Sequence, residues 1–175
     1  MIDKNRIQVI EEHLALLREQ LYGLEQAKIL ASADEKVRLE QRIRIQCKPE
    51  IRKYEIEYWE TLANQSRFLQ IPETEADIAV KEITQQVSLI ENSNDILPGE
   101  KLADAIGILV EIRDKLNHSN DSAALKLKGV ISSFPPFVGI ACEAELDTEK
   151  FLVKYFPTFI GCIEKAKKKL LPQQI

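Results

Sequence analysis

Apolar side chains at Ile7, Ile10, Leu14, Leu17, Leu21 and Leu24, continued by Lys28, recur at alternating spacings of three and four residues. A repeat of 3.5 residues keeps one narrow stripe of a helix turned toward a partner helix along its whole length. From Asp3 to Ala31 there is no proline and a single glycine, Gly23, so one long helix is predicted. Ser32-Ala33-Asp34-Glu35 then offers Ser-x-x-Glu, whose hydroxyl and carboxylate satisfy the open amides at the start of a new helix. A second stripe, Leu39, Ile43, Cys47, Ile51, Tyr54, Tyr58 and Leu62, predicts a helix from about Asp34 to Leu69. So short a connection returns it antiparallel to the first. Pro49 removes one backbone donor and crowds the carbonyl four residues earlier, which predicts a kink there, or a break with the helix restarting at the proline.

Pro72 marks the boundary after this hairpin, with Thr74 and Asp77 as candidate caps for the next helix. Ala76, Val80, Ile83, Val87 and Ile90 form its inner face. Asn92-Ser93-Asn94-Asp95 reads as a turn. Pro98-Gly99 then opens a helix carrying Leu102, Ala105, Leu109, Ile112 and Leu116 on one side. A further helix is expected from about Ser122 to Ser133, ending before Pro135-Pro136 because a residue preceding proline is pushed out of helical geometry. Phe137 to Glu145 is expected as a loop laid over the helices, with a short strand as the alternative. Asp147-Thr148 caps a short helix running through Phe156, and Pro157 opens the last, whose inner face is Phe159, Ile163, Ala166 and Leu170. The fold class that follows is all-α: an antiparallel coiled-coil hairpin over residues 1–70 and a compact helical bundle over 73–172.

Composition narrows the function classes. The 24 basic and 28 acidic residues leave a net charge of −4, and the first 70 residues are balanced, so no global field draws the chain to nucleic acid. Cys47, Cys142 and Cys162 are odd in number and far apart, and the histidines are His13 and His118 alone. That pattern points to buried free thiols and a reducing cytoplasm, with no metal cluster. The first residues read as no signal peptide, and no apolar run approaches the ~20 residues that span a bilayer. Glycine-rich phosphate loops, G-x-S-x-G and H-E-x-x-H are all missing from the chain, so no cofactor is expected.

Four clusters remain as candidates. Lys36, Arg38, Arg42, Arg44, Lys48, Arg52 and Lys53 form a basic series on the second helix, able in principle to follow phosphates. Interleaved Glu35, Glu40, Glu50, Glu55 and Glu57 favour a solvated flank with ion pairs between turns. Tyr54, Tyr58 and Trp59 make an aromatic group, suited to docking within the chain or to anchoring a partner. Lys165, Lys167, Lys168 and Lys169 oppose the negative end of the last helix dipole, with contact to an anionic membrane surface as the alternative. Arg113-Asp114-Lys115-Leu116-Asn117-His118 places an arginine and a histidine at the end of a helix, where a guanidinium holds phosphate charge and an imidazole moves a proton. The same residues, with Ser119-Asn120-Asp121, read equally as a helix stop followed by a cap.

The spacing of Arg113 and His118 resembles the R-x4-H motif of HEPN ribonucleases, helical bundles that dimerise around a scissile RNA phosphate. The resemblance implies those two residues as the catalytic pair, although Asp114 stands where that family usually has a neutral polar residue. Phe134-Pro135-Pro136-Phe137, with Glu145-Leu146-Asp147-Thr148-Glu149 and Tyr155-Phe156-Pro157-Thr158-Phe159, looks like a C-terminal module of multidomain cyanobacterial proteins. Leu17-Arg18-Glu19-Gln20-Leu21 and Leu39-Glu40-Gln41-Arg42-Ile43 are similar to helical effector-associated modules of bacterial conflict systems. Such modules are adaptors that bring caspase-like, TIR or NTPase effectors together through helix contacts. The expected function is therefore a non-enzymatic protein-interaction module acting on another helix or a second copy. Leu14, Leu17, Leu21 and Leu24, with the Tyr54–Trp59 group, are its expected contact residues.

Overall fold

The computed structural model describes residues 4–93 and 100–170, and every regular element among them is helical. The fold is all-α. The helices are α1 (Lys4–Ile29), α2 (Ala33–Arg42), α3 (Lys48–Gln65), α4 (Glu73–Asn92), α5 (Glu100–His118), α6 (Ala123–Glu143), α7 (Thr148–Tyr155) and α8 (Pro157–Leu170). A π turn, Ile43–Cys47, joins α2 to α3, and a 3-10 turn, Ser66–Phe68, follows α3. The helix that was expected to reach Leu69 therefore ends four residues sooner. Backbone contacts divide the chain into two compact units, Met1–Thr61 and Leu62–Ile175.

In the first unit the Ser32 hydroxyl accepts from the Glu35 amide at 3.4 Å, while the Glu35 carboxylate accepts from the Ser32 amide at 3.3 Å. This reciprocal cap starts α2 directly behind α1. Lys28 then pairs with Glu40, the Cys47 thiol reaches the Leu17 carbonyl, the His13 ring meets Tyr54, and Arg6 bonds Glu57. Partners of rising number on one helix thus fall on the other, as in an antiparallel hairpin. Ile7, Ile10 and Leu14 are buried, and Leu17, Leu21, Leu24 and Lys28 are half-buried.

Pro49 neither breaks the second helix nor stands at the irregularity itself. The distortion lies just ahead, where the Lys48 amide bonds the Ile43 carbonyl five residues back. This wider turn opens the backbone at the point where the proline ring would press on the Ile45 carbonyl of a regular helix. It also adds one residue to the turn, which moves the inward stripe on by one position. Glu55 and Trp59 are the buried residues beyond it, while Tyr54 and Tyr58 are only half-buried.

In the second unit α4 packs against α5, α6 and α8, and α7 bridges α6 and α8. Ala76, Ile83, Val87 and Ile90 of α4 and Leu102, Ala105, Leu109, Ile112 and Leu116 of α5 are buried. The turn residues Asn94-Asp95 and the helix-opening Pro98-Gly99 lie outside the described residues. Helix α4 begins after Pro72 with no side-chain cap, so Thr74 and Asp77 do not take that part.

The largest departure from expectation is α6, which runs through Pro135-Pro136 to Glu143, so that residues 137–143 of the expected loop are helix and only 144 and 145 form a turn. Each interior proline costs about 3 kcal/mol. Against this stand Ile131, Phe134, Phe137 and Val138, all fully buried around the two prolines, each contributing roughly 1.5–3 kcal/mol. Packing outweighs the local penalty. The rings of Phe134 and Phe137 lie 5.1 Å apart, Phe134 meets Phe159 at 5.7 Å, and Phe137 meets Phe151 at 5.8 Å, so the two phenylalanines that flank the prolines form the hub of the aromatic core, while Pro135 is half-buried and Pro136 is exposed on the opposite side. The helix closes on Glu145, whose φ of 60° is left-handed, with Glu145 and Leu146 amides bonding Cys142 and Ala141 carbonyls.

Two carboxylates from α4 serve helices that follow much later in the chain. Glu73 accepts from the amides of Ala123 and Ala124 at 2.6 and 3.1 Å, at the start of α6. Glu82 accepts from the Thr158 amide at 2.9 Å, the Thr158 hydroxyl at 2.6 Å and the Phe159 amide at 3.4 Å, at the start of α8. Both place negative charge where the helix dipole is positive.

Candidate interaction surface

The outer part of the hairpin carries an unusual load of exposed apolar side chains. Tyr22 and Ile29 on α1, Leu30 at the turn and Val37 on α2 are 64%, 65%, 93% and 55% exposed. Leu16 and Ile45 are also exposed. Helix α2 buries no residue at all. Two helices shield a stripe from one side only, so the seam at Leu21, Leu24 and Leu39 remains half-open where nothing further lies over it.

These exposed residues were not among those singled out from the sequence. A signal existed, because Tyr22 and Ile29 are seven residues apart and share a face outside the seam. Of the residues expected to make contact, Leu14 is buried inside the hairpin and Leu17, Leu21 and Leu24 are half-buried. Trp59 is buried, with the Tyr58 ring set edge-on to it at 5.4 Å. Tyr54 packs on His13 at 5.0 Å, and the Lys53 ammonium lies 5.6 Å from the centre of its ring. The aromatic group is largely spent within the chain.

The basic series is spread around the helix. Lys36, Arg38, Arg42, Arg44, Lys48 and Lys53 are exposed and Arg52 is half-buried. Arg38 and Arg42 share one face, and Lys36, Arg44 and Lys48 lie round the other side. At the C-terminal end Lys165, Lys168 and Lys169 are exposed, Lys165 pairing with Glu75 at 3.2 Å, and Lys167 is buried beside Glu164 at 2.8 Å.

Arg113 is 14% exposed and its guanidinium is enclosed by acceptors. It donates to Glu91, to the Ser88 hydroxyl at 3.2 Å and to Asp114 at 3.1 and 3.2 Å. Hydrogen bonding to Glu91, and next to Asp114, raises its pKa further above an already high value. His118 is held by Nδ1, which donates to the Asp114 carbonyl at 2.8 Å. One guanidinium between two carboxylates carries a local charge of minus one, which repels phosphate. The two residues share Asp114 as neighbour and no direct contact joins them among the described residues.

Cys47 and Cys162 are buried, and Cys142 is half-buried with its Sγ 3.7 Å from the Thr148 hydroxyl. Burial is the main cause that pushes the Cys47 and Cys162 pKa values up. Among the described residues no group of His, Cys, Asp and Glu is arranged to hold a metal ion, and no helix is long and apolar enough to cross a membrane. Comparison with family models, curated proteins and solved structures returned no match.

Proposed function

We propose that the chain is a non-catalytic helical interaction module, and that its contact surface is the outer part of the α1–α2 hairpin. The observation that carries this reading is the set Tyr22, Ile29, Leu30 and Val37, more than half exposed beside a half-open seam. Burying a large apolar side chain contributes about 1.5–3 kcal/mol, and a concentrated group of such residues marks an association surface. The likeness of this hairpin to effector-associated modules supports a cytoplasmic adaptor in a bacterial conflict or signalling system. The alternative of an RNA-cleaving Arg113–His118 pair draws no support from the carboxylates that surround Arg113.

A photo-crosslinking amino acid at Leu30, in cells producing the chain, tests the reading against the same group at Lys150, whose side chain is 87% exposed on α7. Protein adducts are expected from position 30 and not from position 150. A position 30 that yields no protein adduct, or no more than position 150, overturns the reading.

A further inference from the structure

The proposed contact surface is complementary to itself, and we infer that its partner is a second copy of this chain; this rests on the interaction reading above. Arg18, Tyr22, Glu25 and Ile29 follow one another at spacings of four, three and four, and so line one side of α1. Val37, Glu40, Arg44 and Lys48 follow at similar spacings along the second helix, on the side that leads to Glu55. The ion pair between Arg18 and Glu55, 2.7 Å long, shows that these two rows border the same face of the hairpin. Within that face Arg18 is engaged by Glu55 and Lys28 engages Glu40 at 3.1 Å. Glu25 and Arg44 are exposed, and no ion pair within the described residues engages either.

The internal contacts also fix which residues stand level. With Lys28 beside Glu40 and Leu17 beside Cys47, Ile29 stands at the height of Val37, and Tyr22 and Glu25 stand at the turn that holds Arg44. A two-fold axis parallel to the hairpin lays α1 of each copy antiparallel along α2 of the other and preserves those levels. Ile29 of one chain then faces Val37 of its partner twice over, an apolar pair at each side. Arg44 of each chain meets both the Tyr22 ring and the Glu25 carboxylate of the other, joining a cation–π contact to an ion pair. The half-open seam at Leu21, Leu24 and Leu39 becomes the interior of a four-helix assembly. An acidic side chain on α1 and a basic one on α2 is the charge pattern that such a swap requires.

Light scattering of the full chain on a size-exclusion column, over about a hundredfold range of concentration, gives the first readout. The mass is expected to rise from one chain to two, and a mass of one chain throughout overturns the inference. E25R and R44E each set like charges against one another in the symmetric dimer and are expected to weaken it about tenfold. Mixing the two variants is expected to restore association, because the reversed position 25 faces the reversed position 44 and the native pair faces itself. Both positions are exposed, so helicity by circular dichroism is expected to be unchanged, and restoration on mixing requires folded chains. Variants as strongly associated as the wild type, or a mixture no stronger than its parts, overturn the assigned face. A monomeric wild type whose position 30 still crosslinks to a different protein sinks the self-association alone; a monomer with no adduct sinks both readings.

Discussion

Removing the Glu82 carboxylate is expected to loosen α8 from the second unit. Its two oxygens take three hydrogen bonds at the first turn of that helix, from the Thr158 amide, the Thr158 hydroxyl and the Phe159 amide. Loss of an N-terminal cap costs about 0.5–2 kcal/mol, and loss of a negative charge at the positive end of the dipole about 0.3–1 kcal/mol. Glu82→Ala therefore costs roughly 1–3 kcal/mol, a fall in Tm of several degrees for a chain of this size. Glu82→Gln keeps one oxygen to accept from the two amides, loses the charge and turns the second oxygen into an NH2 that can donate to the Thr158 hydroxyl, so it is expected to cost about 1 kcal/mol or less. Urea unfolding followed by circular dichroism, with both variants beside the wild type, measures the order. An alanine variant within about 0.5 kcal/mol of wild type, or a glutamine variant equal to the alanine one, refutes the assignment of Glu82 as a charged cap.

Other changes test other links. Phe134→Ala empties the hub of the aromatic core and is expected to cost about 3–5 kcal/mol in the same unfolding assay. Ser32→Ala removes one half of the reciprocal cap at the start of α2 and is expected to cost about 1 kcal/mol, read as lowered helicity on heating. Glu145→Gly relieves a left-handed residue at the end of α6 and is expected to raise stability by about 0.5–1 kcal/mol. The thiols of Cys47 and Cys162 have folded pKa values raised by burial, so the folded state holds their protons longer than the unfolded chain. Their contribution is complete below the ordinary thiol pKa of about 8.5 and is lost as pH climbs through the folded values. Stability measured across that alkaline range is expected to fall, less steeply in a Cys47→Ala, Cys162→Ala double variant. In native protein iodoacetamide is expected to label Cys142 first.

Much of the fold was legible because local signals and packing agreed. The stripe of α1 contains its buried residues Ile7, Ile10 and Leu14, and Ser32, Ser122, Asp147 and Pro157 mark helix starts where the structure has them. Pro135-Pro136 misled because a proline states only its local cost, while the four core side chains that override it gain their energy from helices distant in sequence, α4, α5, α7 and α8. The π turn before Pro49 was hidden for a related reason. It moved the inner stripe by one residue, so Glu55 and Trp59 took the places forecast for Tyr54 and Tyr58. Glu73 and Glu82 were invisible as caps, since the first amides they accept from lie 50 and 76 residues further along the chain. The proposed contact surface was not legible because the apolar repeat points into the seam, whereas Tyr22, Ile29 and Val37 lie outside it.

Hydrogen exchange of the full chain, followed by mass spectrometry in dilute and in concentrated solution, tests the central claim most directly. Slower exchange on concentration is expected across the outer hairpin, from Leu16 in α1 to Ile45 in the π turn, with α4 and α6 unaltered. Exchange that is identical at the two concentrations, or protection that falls on the second unit instead, contradicts the assignment of this hairpin as the surface where the chain meets its partner.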